Sequence, residues 1–245
     1  MTQIKKNTYV IGDIHGDIKT LKALLSFIAP KDGDKIIFLG DYIDRGPNSK
    51  AVIDLLIDLS KSYECDFIRG NHEEFLLKSL EGETIVENIW LRHGGTDTLK
   101  SYGVETVEEL AEVMPKAHLE FYKNTKHYVE TDGHIFTHAN WQKGVPAEDQ
   151  TISYLRYLFM SHAQPDRKLK KTVIVGHSAL KGGKPAKKGN LLCIDTLEHG
   201  WLTAYNLGDF KFYQAGIDGG LRVIKRPEKF TIKKHVPRQF WPKKR

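Results

Sequence analysis

Short apolar segments alternate with stretches of helical spacing along the first third of the chain. Residues 9–11, 36–39 and 65–68 are typical of short buried strands. After the first of these, apolar residues recur at positions 18, 21, 24, 25 and 28, which is the spacing of one face of a helix. Helical stretches also follow the other two segments, at 51–59 and 73–80. This strand-then-helix order predicts a largely parallel sheet covered by helices.

The pattern turns towards strands in the second half of the chain. Residues 83–124 still have helical patterning, with glycines at 94, 95 and 103 as breaks. The Gly- and Lys-rich stretch 181–189 is expected to be an exposed loop. Strands are predicted at 135–137, 172–175, 191–194, 202–206 and 210–213.

The net charge of +6 is concentrated near the C-terminal end of the 245-residue chain. Residues 221–245 contain ten of the 37 Lys and Arg residues and one of the 31 Asp and Glu residues. Residues 1–220 are therefore slightly acidic, and we expect them to form one domain followed by a basic tail, 221–245. Phe230, Phe240 and Trp241 alternate with Lys and Arg in this tail, a composition compatible with binding to nucleic acid or to another anionic surface such as a membrane. The alternative is that the tail lies across the acidic body of its own chain.

The composition excludes several classes of protein. With 40% hydrophobic and 28% charged residues, the chain is neither a disordered polypeptide nor a fibre. No apolar run approaches the roughly 18 residues needed to cross a bilayer, so no membrane span is expected. Cys65 and Cys193 form neither a disulfide framework nor a cysteine zinc site, which favours a reducing, cytoplasmic location.

Polar clusters follow the first three predicted strands at the point where each strand ends. They occupy residues 12–17, 40–46 and 69–74, and each contains a glycine beside Asp or Asn. His138 and His177 likewise follow apolar segments later in the chain. Because the carboxyl ends of strands border the ligand crevice of an α/β sheet, these clusters can meet in space. Oxygen and nitrogen donors without cysteine suit a divalent metal such as manganese, iron or zinc.

Each cluster taken alone has an ordinary structural explanation. A Gly-Asp pair is usually a turn, and Asn71 could merely cap the helix that follows it. However, Asp13 and His15 are one residue apart and can reach the same ion, and the two carboxylate oxygens of Asp41 can bridge two ions. Five sites of this kind, all at predicted strand ends, are better explained by a metal centre than by turns.

Three of these segments resemble the signatures of a known enzyme family. The segments are Gly12-Asp13-Ile14-His15-Gly16, Gly40-Asp41-Tyr42-Ile43-Asp44-Arg45-Gly46 and Arg69-Gly70-Asn71-His72-Glu73. They are similar to those of the calcineurin-like metallophosphoesterases, most closely the phosphoprotein phosphatase branch with its bacterial and lambda-phage serine/threonine phosphatases. The similarity continues through 136–139 and 175–178 and covers about residues 8–215. It implies an α/β fold in which central mixed β-sheets, packed like a β-sandwich, are flanked by helices in four layers.

The resemblance also implies a centre of two divalent metal ions, with manganese expected and iron or zinc as alternatives. Asp13 and His15 would hold the first ion, and Asp41 would bridge the two. The second ion would be completed by Asn71, His138 and His177.

The same resemblance implies catalytic and phosphate-binding residues. The residue that matches His72 is a proton donor in the family, oriented by the carboxylate that matches Asp44. Arg45 and Arg69 match arginines near the phosphate. Arg156 falls where relatives have a Trp-x-Arg motif, of which the Trp is missing here.

One loop departs from the family pattern. Relatives usually have Ile-Asp-Thr-Gly, whereas this chain has Leu197 in place of the glycine, followed by Glu198 and His199. We interpret this segment as a surface loop with a tolerated substitution. The alternative is a changed substrate preference.

The resemblance implies a metal-dependent phosphoric-ester hydrolase with residues 1–220 as its catalytic domain. The leading hypothesis is a serine/threonine protein phosphatase that hydrolyses phosphomonoesters of proteins or small molecules with a metal-activated water. The alternatives are a diadenosine tetraphosphate hydrolase and a phosphatase that processes nucleic-acid ends. The symmetrical hydrolases often lack the acid that matches Asp44, so its presence favours the phosphatase. A catalytically silent binding module is disfavoured because the matched metal positions keep their residues.

Overall fold

The computed structural model of the protein describes residues 6–231, and strands in this part of the chain form two six-stranded sheets. The strands are β1 (Thr8–Ile11), β2 (Lys35–Phe38), β3 (Glu64–Phe67), β4 (Tyr128–Glu130), β5 (His134–Thr137), β6 (Thr172–Val175), β7 (Ala186–Lys188), β8 (Leu191–Cys193), β9 (Trp201–Asn206), β10 (Lys211–Gly216), β11 (Leu221–Ile224) and β12 (Glu228–Lys229). The α-helices are α1 (Ile18–Ile28), α2 (Ser49–Ser62), α3 (Asn71–Leu80), α4 (Thr84–Trp90), α5 (Thr96–Ser101), α6 (Val107–Val113), α7 (Lys116–Lys123) and α8 (Ile152–Arg156).

The first sheet has the strand order β11-β10-β9-β1-β2-β3. Strands β1, β2 and β3 are parallel, as the sequence predicts, and α1 and α2 connect them. Strand β9 pairs with the other edge of β1 in the antiparallel direction, and β10 and β11 extend this part as a meander. The sheet is therefore mixed, because only β1, β2 and β3 come from strand-helix-strand units.

The second sheet has the order β12-β7-β8-β6-β5-β4. Strands β5, β6 and β8 are parallel, whereas β4 and β7 pair with them in the antiparallel direction. The predicted α/β fold with mixed sheets flanked by helices is confirmed.

The two sheets pack face to face through alternate residues of their strands. Ile37 in β2 and Phe136, Ile174 and Leu192 in the second sheet belong to one buried apolar cluster. Phe38, the neighbour of Ile37, belongs to a different cluster that contains residues of α1, α2 and α3. This separation follows from the two-residue period of a strand, which sends successive side chains to opposite faces.

The first helix shows how closely local sequence determines an element. The predicted helix 18–28 is observed at those bounds. Asp17 caps its N-terminus by accepting the backbone N–H of Thr20 at 2.9 Å, and the left-handed conformation of Ala29 ends it. The helical pattern predicted at 83–124, with breaks at glycines 94, 95 and 103, is observed as four short α-helices, α4 to α7.

Two segments form more regular structure than the sequence indicates. Part of the expected loop 181–189 is strand β7, in which Lys188 donates to backbone carbonyls including that of Ala163 at 2.8 Å. The first part of the basic segment 221–245 supplies β11 to one sheet and β12 to the other. Residues 232–245, with Phe240 and Trp241, lie outside the described residues.

The parallel strands of both sheets end at one edge of the sandwich. The loops that follow β1, β2, β3, β5, β6 and β8 carry the polar residues of the candidate site. Within residues 6–231, no helix has the length and apolar character to cross a membrane.

Candidate metal centre

The loop between β1 and α1 aims one ring nitrogen of His15 at the centre of the site. Nδ1 of His15 donates to the Ile43 carbonyl at 3.1 Å, which leaves Nε2 facing Asp41, 3.8 Å from Oδ2. Burial lowers the pKa of His15 to about 3. The ring is therefore neutral at pH 7, which is the form that binds metal ions.

Asp13 lies among other buried carboxylates. Its Oδ2 accepts the backbone N–H of His177 at 3.0 Å, and a Cβ at Gly176 would lie 2.0 Å from its Oδ1. Burial, followed by the charges of Asp195 and Asp41, raises the pKa of Asp13 well above its ordinary value. Such a group of carboxylates needs positive charge nearby, and a divalent cation would supply it.

Asp41 is at the centre of the arrangement. Its Oδ1 is 3.4 Å from Nε2 of His138, and its Oδ2 is 3.8 Å from Nε2 of both His15 and His72. Burial acts to raise the pKa of Asp41, but His138 and His72 outweigh it and hold this pKa well below its usual value. Its carboxylate is therefore ionised and faces histidines on two sides.

Glu73 fixes the backbone beneath Asp41. It accepts the N–H groups of Asp41 and Gly70 at 2.9 Å and that of Tyr42 at 2.8 Å. Burial, together with the charge of Asp41, raises the pKa of Glu73 to about 7. These bonds connect the loop after β2 to the loop after β3.

A second group of donors surrounds Asn71, the first residue of α3. Its Oδ1 lies 2.9 Å from Nδ1 of His177 and 3.0 Å from Nε2 of His138. The opposite nitrogens donate to backbone carbonyls, His138 to Leu39 at 2.8 Å and His177 to Tyr157 at 3.1 Å. Outer hydrogen bonds of this kind select the ring tautomer and direct the remaining nitrogen at a metal.

His72 and Asp44 form a buried pair beside these donors. Nδ1 of His72 lies 2.6 Å from Oδ2 of Asp44. Asp44 also accepts Nε1–H of Trp90 at 2.8 Å and the hydroxyl of Thr98 at 2.6 Å. Burial acts to lower the pKa of His72, but the charges of Asp41 and Asp44 outweigh it and raise this pKa to about 9.

Several site residues hold a left-handed backbone although they are not glycine. This conformation costs about 1–3 kcal/mol for each such residue and persists only where the surroundings enforce it. The φ values are 44° at His15, 52° at Asp41, 73° at Asp44, 66° at Arg45 and 60° at His177.

The donor atoms fall into two groups that share one carboxylate. In each group the ligand atoms all lie within 4.8 Å of one another. A shared carboxylate can hold two ions close together, and this donor set of imidazoles and carboxylates fits two divalent ions of intermediate hardness. The groups are His15, Asp41 and His72, and Asp41, His138 and His177.

A sequence model of the calcineurin-like phosphoesterases matches residues 6–208. The chain belongs to this family. Members of the family use a dinuclear metal centre, and the two overlapping donor groups fit one.

Relatives of this phosphoesterase have different substrates in their names. The asymmetrical bis(5'-nucleosyl)-tetraphosphatase of Oceanobacillus iheyensis is 31% identical over 129 residues, 49% of this chain and 50% of that protein. Serine/threonine-protein phosphatase 2 of Escherichia coli is 38% identical over 92 residues, 37% of this chain and 39% of that protein. This chain thus spans half or less of the length of these relatives.

Solved structures show the same fold. A cold-active protein tyrosine phosphatase superposes with a TM-score of 0.61 at 14% identity, covering 89% of this chain and 78% of that one. At this identity the likeness concerns the fold alone.

The three arginines singled out by the sequence differ in where they lie. Arg45 lines the cavity at the site. The Arg69 guanidinium donates to backbone carbonyls, including that of Lys123 at 2.9 Å, and does not line this cavity. Arg156 is 1% exposed and forms an ion pair with Glu74 below the site. The structure therefore brings His72 and Arg45 together with the predicted metal ligands. It does not bring Arg69 or Arg156 into this cavity.

The cavity has a volume of about 400 Å³ and an aromatic rim. Phe75 and Tyr157 border it, and the Phe159 ring stacks on His177 with 4.7 Å between ring centroids. Such a rim can pack against the apolar part of a substrate while the polar floor receives a phosphoryl group.

Sequence reasoning missed Asp195, which lines the cavity and is 3% exposed. Its Oδ1 has no hydrogen-bond partner among the described residues. Burial, followed by the charge of Asp41, raises its pKa to about 7. Asp195 follows the apolar residues 191–194, so the strand-end rule that selected Asp13 also selects it. Trp90 and Thr98, which hold Asp44, lie in helices and give no comparable signal.

Proposed function

We propose that this phosphoesterase is a metal-dependent serine/threonine protein phosphatase that hydrolyses phosphomonoesters at a dinuclear centre. The observation that supports this proposal best is the buried His72–Asp44 pair beside the donor groups. A proton donor at this place is needed most by an ester whose leaving group is an alkoxide. Serine and threonine phosphates are esters of that kind.

The metal-holding residues are proposed as the sequence suggests them. Asp13 and His15 would hold one ion, Asp41 would be shared by both ions, and the second ion would take Asn71 with the two histidines from the other sheet, His138 and His177. When bound, two divalent ions lower the pKa of a water molecule to give a nucleophile at neutral pH and neutralise phosphoryl oxygens. Manganese is the first ion to test, with iron and zinc as alternatives.

Arg45 is proposed to orient the phosphoryl group. It is the one arginine lining the cavity within the described residues 6–231, and its guanidinium lies 3.3 Å from Nε2 of His72. A planar guanidinium can donate to two phosphate oxygens at once. The phosphoryl group would thereby lie with its ester oxygen near His72.

His72 is proposed to protonate the leaving alkoxide. Because Asp44 holds Nδ1, the other nitrogen, Nε2, is directed at the cavity floor near Asp41. The raised pKa of His72 keeps a proton available on the ring at neutral pH. Asp44 stays charged in this scheme and stabilises the protonated ring.

A dinucleoside tetraphosphate hydrolase is the second candidate, since the relative from Oceanobacillus iheyensis has that activity in its name. The rim residues Phe75, Tyr157 and Phe159 offer surfaces on which a purine can stack. However, a polyphosphate leaving group departs without protonation, so His72 and Asp44 would contribute little to that reaction.

The two candidates are separated by the manganese-loaded protein with a phosphoserine peptide and with diadenosine tetraphosphate as substrates. We expect the larger kcat/KM for the peptide, and a loss of peptide activity in His72→Asn that His162→Asn, an exposed histidine outside the cavity, does not show. Faster cleavage of the dinucleotide, unaffected by His72→Asn, would favour the second candidate.

We also propose a cytoplasmic location for the protein and an anionic partner for its basic segment, each on separate observations. Both thiols are free, and Cys193 is buried whereas Cys65 is half-buried, which supports a reducing, cytoplasmic location. Lys225 and Arg226 are exposed, which supports an anionic partner, nucleic acid included, for the basic segment 221–245. The salt dependence of RNA binding by the full chain tests the second of these proposals.

A further inference from the structure

Glu198 lies in the cavity and forms an ion pair with Arg45. An oxygen of its carboxylate contacts Nη1 of Arg45, and both residues line the cavity with the donor groups. The two side chains are partly exposed, 44% for Glu198 and 39% for Arg45, so solvent and small anions can reach the pair. The residue belongs to the loop at which the sequence departs from the family pattern.

The loop that carries Glu198 is fixed on both sides. Leu197 is buried in the apolar cluster beneath the first sheet, and it replaces the glycine of relatives. The turn 197–199 closes with the N–H of Gly200 donating to Leu197 at 2.8 Å, and Gly200 has a φ of 89° that glycine adopts readily. The buried leucine thus anchors a turn whose next side chain reaches the cavity.

Arg45 is also held in place from its own side. Its backbone is left-handed, and its N–H donates to the carbonyl of Gly94 at 3.3 Å. A Cβ at Gly94 would lie 2.6 Å from the Arg45 nitrogen, so the backbones approach as closely as glycine allows. Arg45 and Glu198 therefore meet across the cavity from two separately fixed loops.

A carboxylate and a phosphoryl group present similar pairs of oxygens to a guanidinium. Arg69 and Arg156 are engaged elsewhere, so within residues 6–231 Arg45 supplies the cavity's only guanidinium. A phosphoryl group that binds Nη1 of Arg45 therefore competes with Glu198 for that nitrogen.

We propose that Glu198 is an internal competitor of the phosphoryl group for Arg45. This inference rests on the proposed role of Arg45 in phosphate binding. Glu198 weakens the binding of substrate and of the phosphate product by a similar factor, and so raises KM without lowering kcat. It also returns to Arg45 as phosphate leaves, which limits inhibition by product.

The test measures inorganic phosphate binding to the manganese-loaded protein by calorimetry, with KM and kcat for p-nitrophenyl phosphate. In Glu198→Gln we expect phosphate to bind about two- to fivefold more tightly, the range for a partly exposed ion pair, with KM lowered by the same factor and kcat kept. Glu148→Gln removes an exposed carboxylate outside the cavity and should leave all three constants unchanged.

A double-mutant cycle with Arg45→Ala assigns the cause. If Glu198 acts through Arg45, replacing it in the Arg45→Ala background brings no gain in phosphate affinity; the same gain in both backgrounds would overturn the inference. Weaker phosphate binding in Glu198→Gln would overturn it as well, because Glu198 would then be assisting Arg45. If Arg45→Ala alone binds phosphate normally, the proposed role of Arg45 fails together with the inference. If it binds phosphate weakly while Glu198→Gln changes nothing, only the inference fails.

Discussion

Nδ1 of His72 lies 2.6 Å from Oδ2 of Asp44, and both side chains are buried. Trp90 and Thr98 donate to the same carboxylate, so Asp44 has a donor on each oxygen and a fixed orientation. The opposite nitrogen of His72 is left facing Asp41 and the cavity. Nδ1 of His72 is thus held by the fold, whereas Nε2, 3.3 Å from the Arg45 guanidinium, is available to the site, as the proposed role of His72 requires.

Asp44→Asn should lower kcat for alkyl phosphoesters such as a phosphoserine peptide about a hundredfold, because the amide no longer stabilises the protonated ring. The loss should be smaller for p-nitrophenyl phosphate, whose leaving group needs less protonation. Metal content, measured by mass spectrometry of the eluted ions, should stay unchanged. Asp58→Asn, on the exposed face of α2, serves as the control.

Loss of metal from a different variant, His72→Asn, would instead make His72 a ligand, which its distance to His15 and Asp41 allows.

Asp41→Asn should weaken metal binding by more than about tenfold, because the shared carboxylate loses its charge. Metal stoichiometry and turnover should fall together, and we expect added manganese to raise the melting temperature of this variant less than that of the wild type. Unchanged turnover at full metal occupancy would contradict a bridging role for Asp41.

Gly70→Ala should disrupt the site through sterics alone. A Cβ at Gly70 would lie 2.0 Å from Oδ1 of Asp41 and 2.5 Å from its backbone nitrogen. We expect a loss of about 1–3 kcal/mol in the free energy of unfolding, measured by urea denaturation, together with reduced metal content. Gly133→Ala, where nothing lies within 4 Å of the new Cβ, should change neither quantity. Equal effects at the two positions would contradict the steric explanation.

Asp66→Asn should destabilise the protein in a pH-dependent way. Burial acts to raise the pKa of Asp66, but Lys126 and Lys35 outweigh it and hold this pKa below its usual value. The stabilisation is therefore present above the unfolded pKa of about 3.9 and is lost as the pH falls through the lower folded pKa.

We expect the free energy of unfolding of this variant to be about 1 kcal/mol lower than that of the wild type at pH 7, and this difference to become smaller below about pH 4. Urea denaturation at a series of pH values measures it. A deficit that stays constant into acid would indicate lost packing rather than lost charge.

The convergence of the strand-end residues follows from rules that a sequence displays. Parallel strands share a carboxyl edge, so Asp13, Asp41 and Asn71 had to come together once the strand-helix order was recognised. The direction of the Arg156 side chain follows instead from its ion pair with Glu74 in α3. No periodicity in a sequence reports such a contact between distant segments.

The same limit applies to strand β7 and to the loop around Glu198. Strand β7 forms a short hairpin with the neighbouring strand β8, and Lys188 also fixes it to backbone carbonyls such as that of Ala163, which is distant in sequence. Leu197 is visible in the sequence as a departure from the family pattern, and the sequence alone favours a tolerated substitution in a surface loop. The structure shows that this leucine is buried and that the next residue faces the cavity, because the turn is closed by backbone bonds.

The left-handed backbone of five site residues lowers the stability that selection for activity can reach. These residues are His15, Asp41, Asp44, Arg45 and His177. Glycine at any of these positions would relax the chain, yet each replacement removes a side chain of the proposed active site. Directed evolution for thermal stability without an activity screen would therefore select substitutions at these positions, and the resulting variants would be more stable but inactive. Natural selection for activity would instead retain these residues, at the cost of the stability that glycine would add.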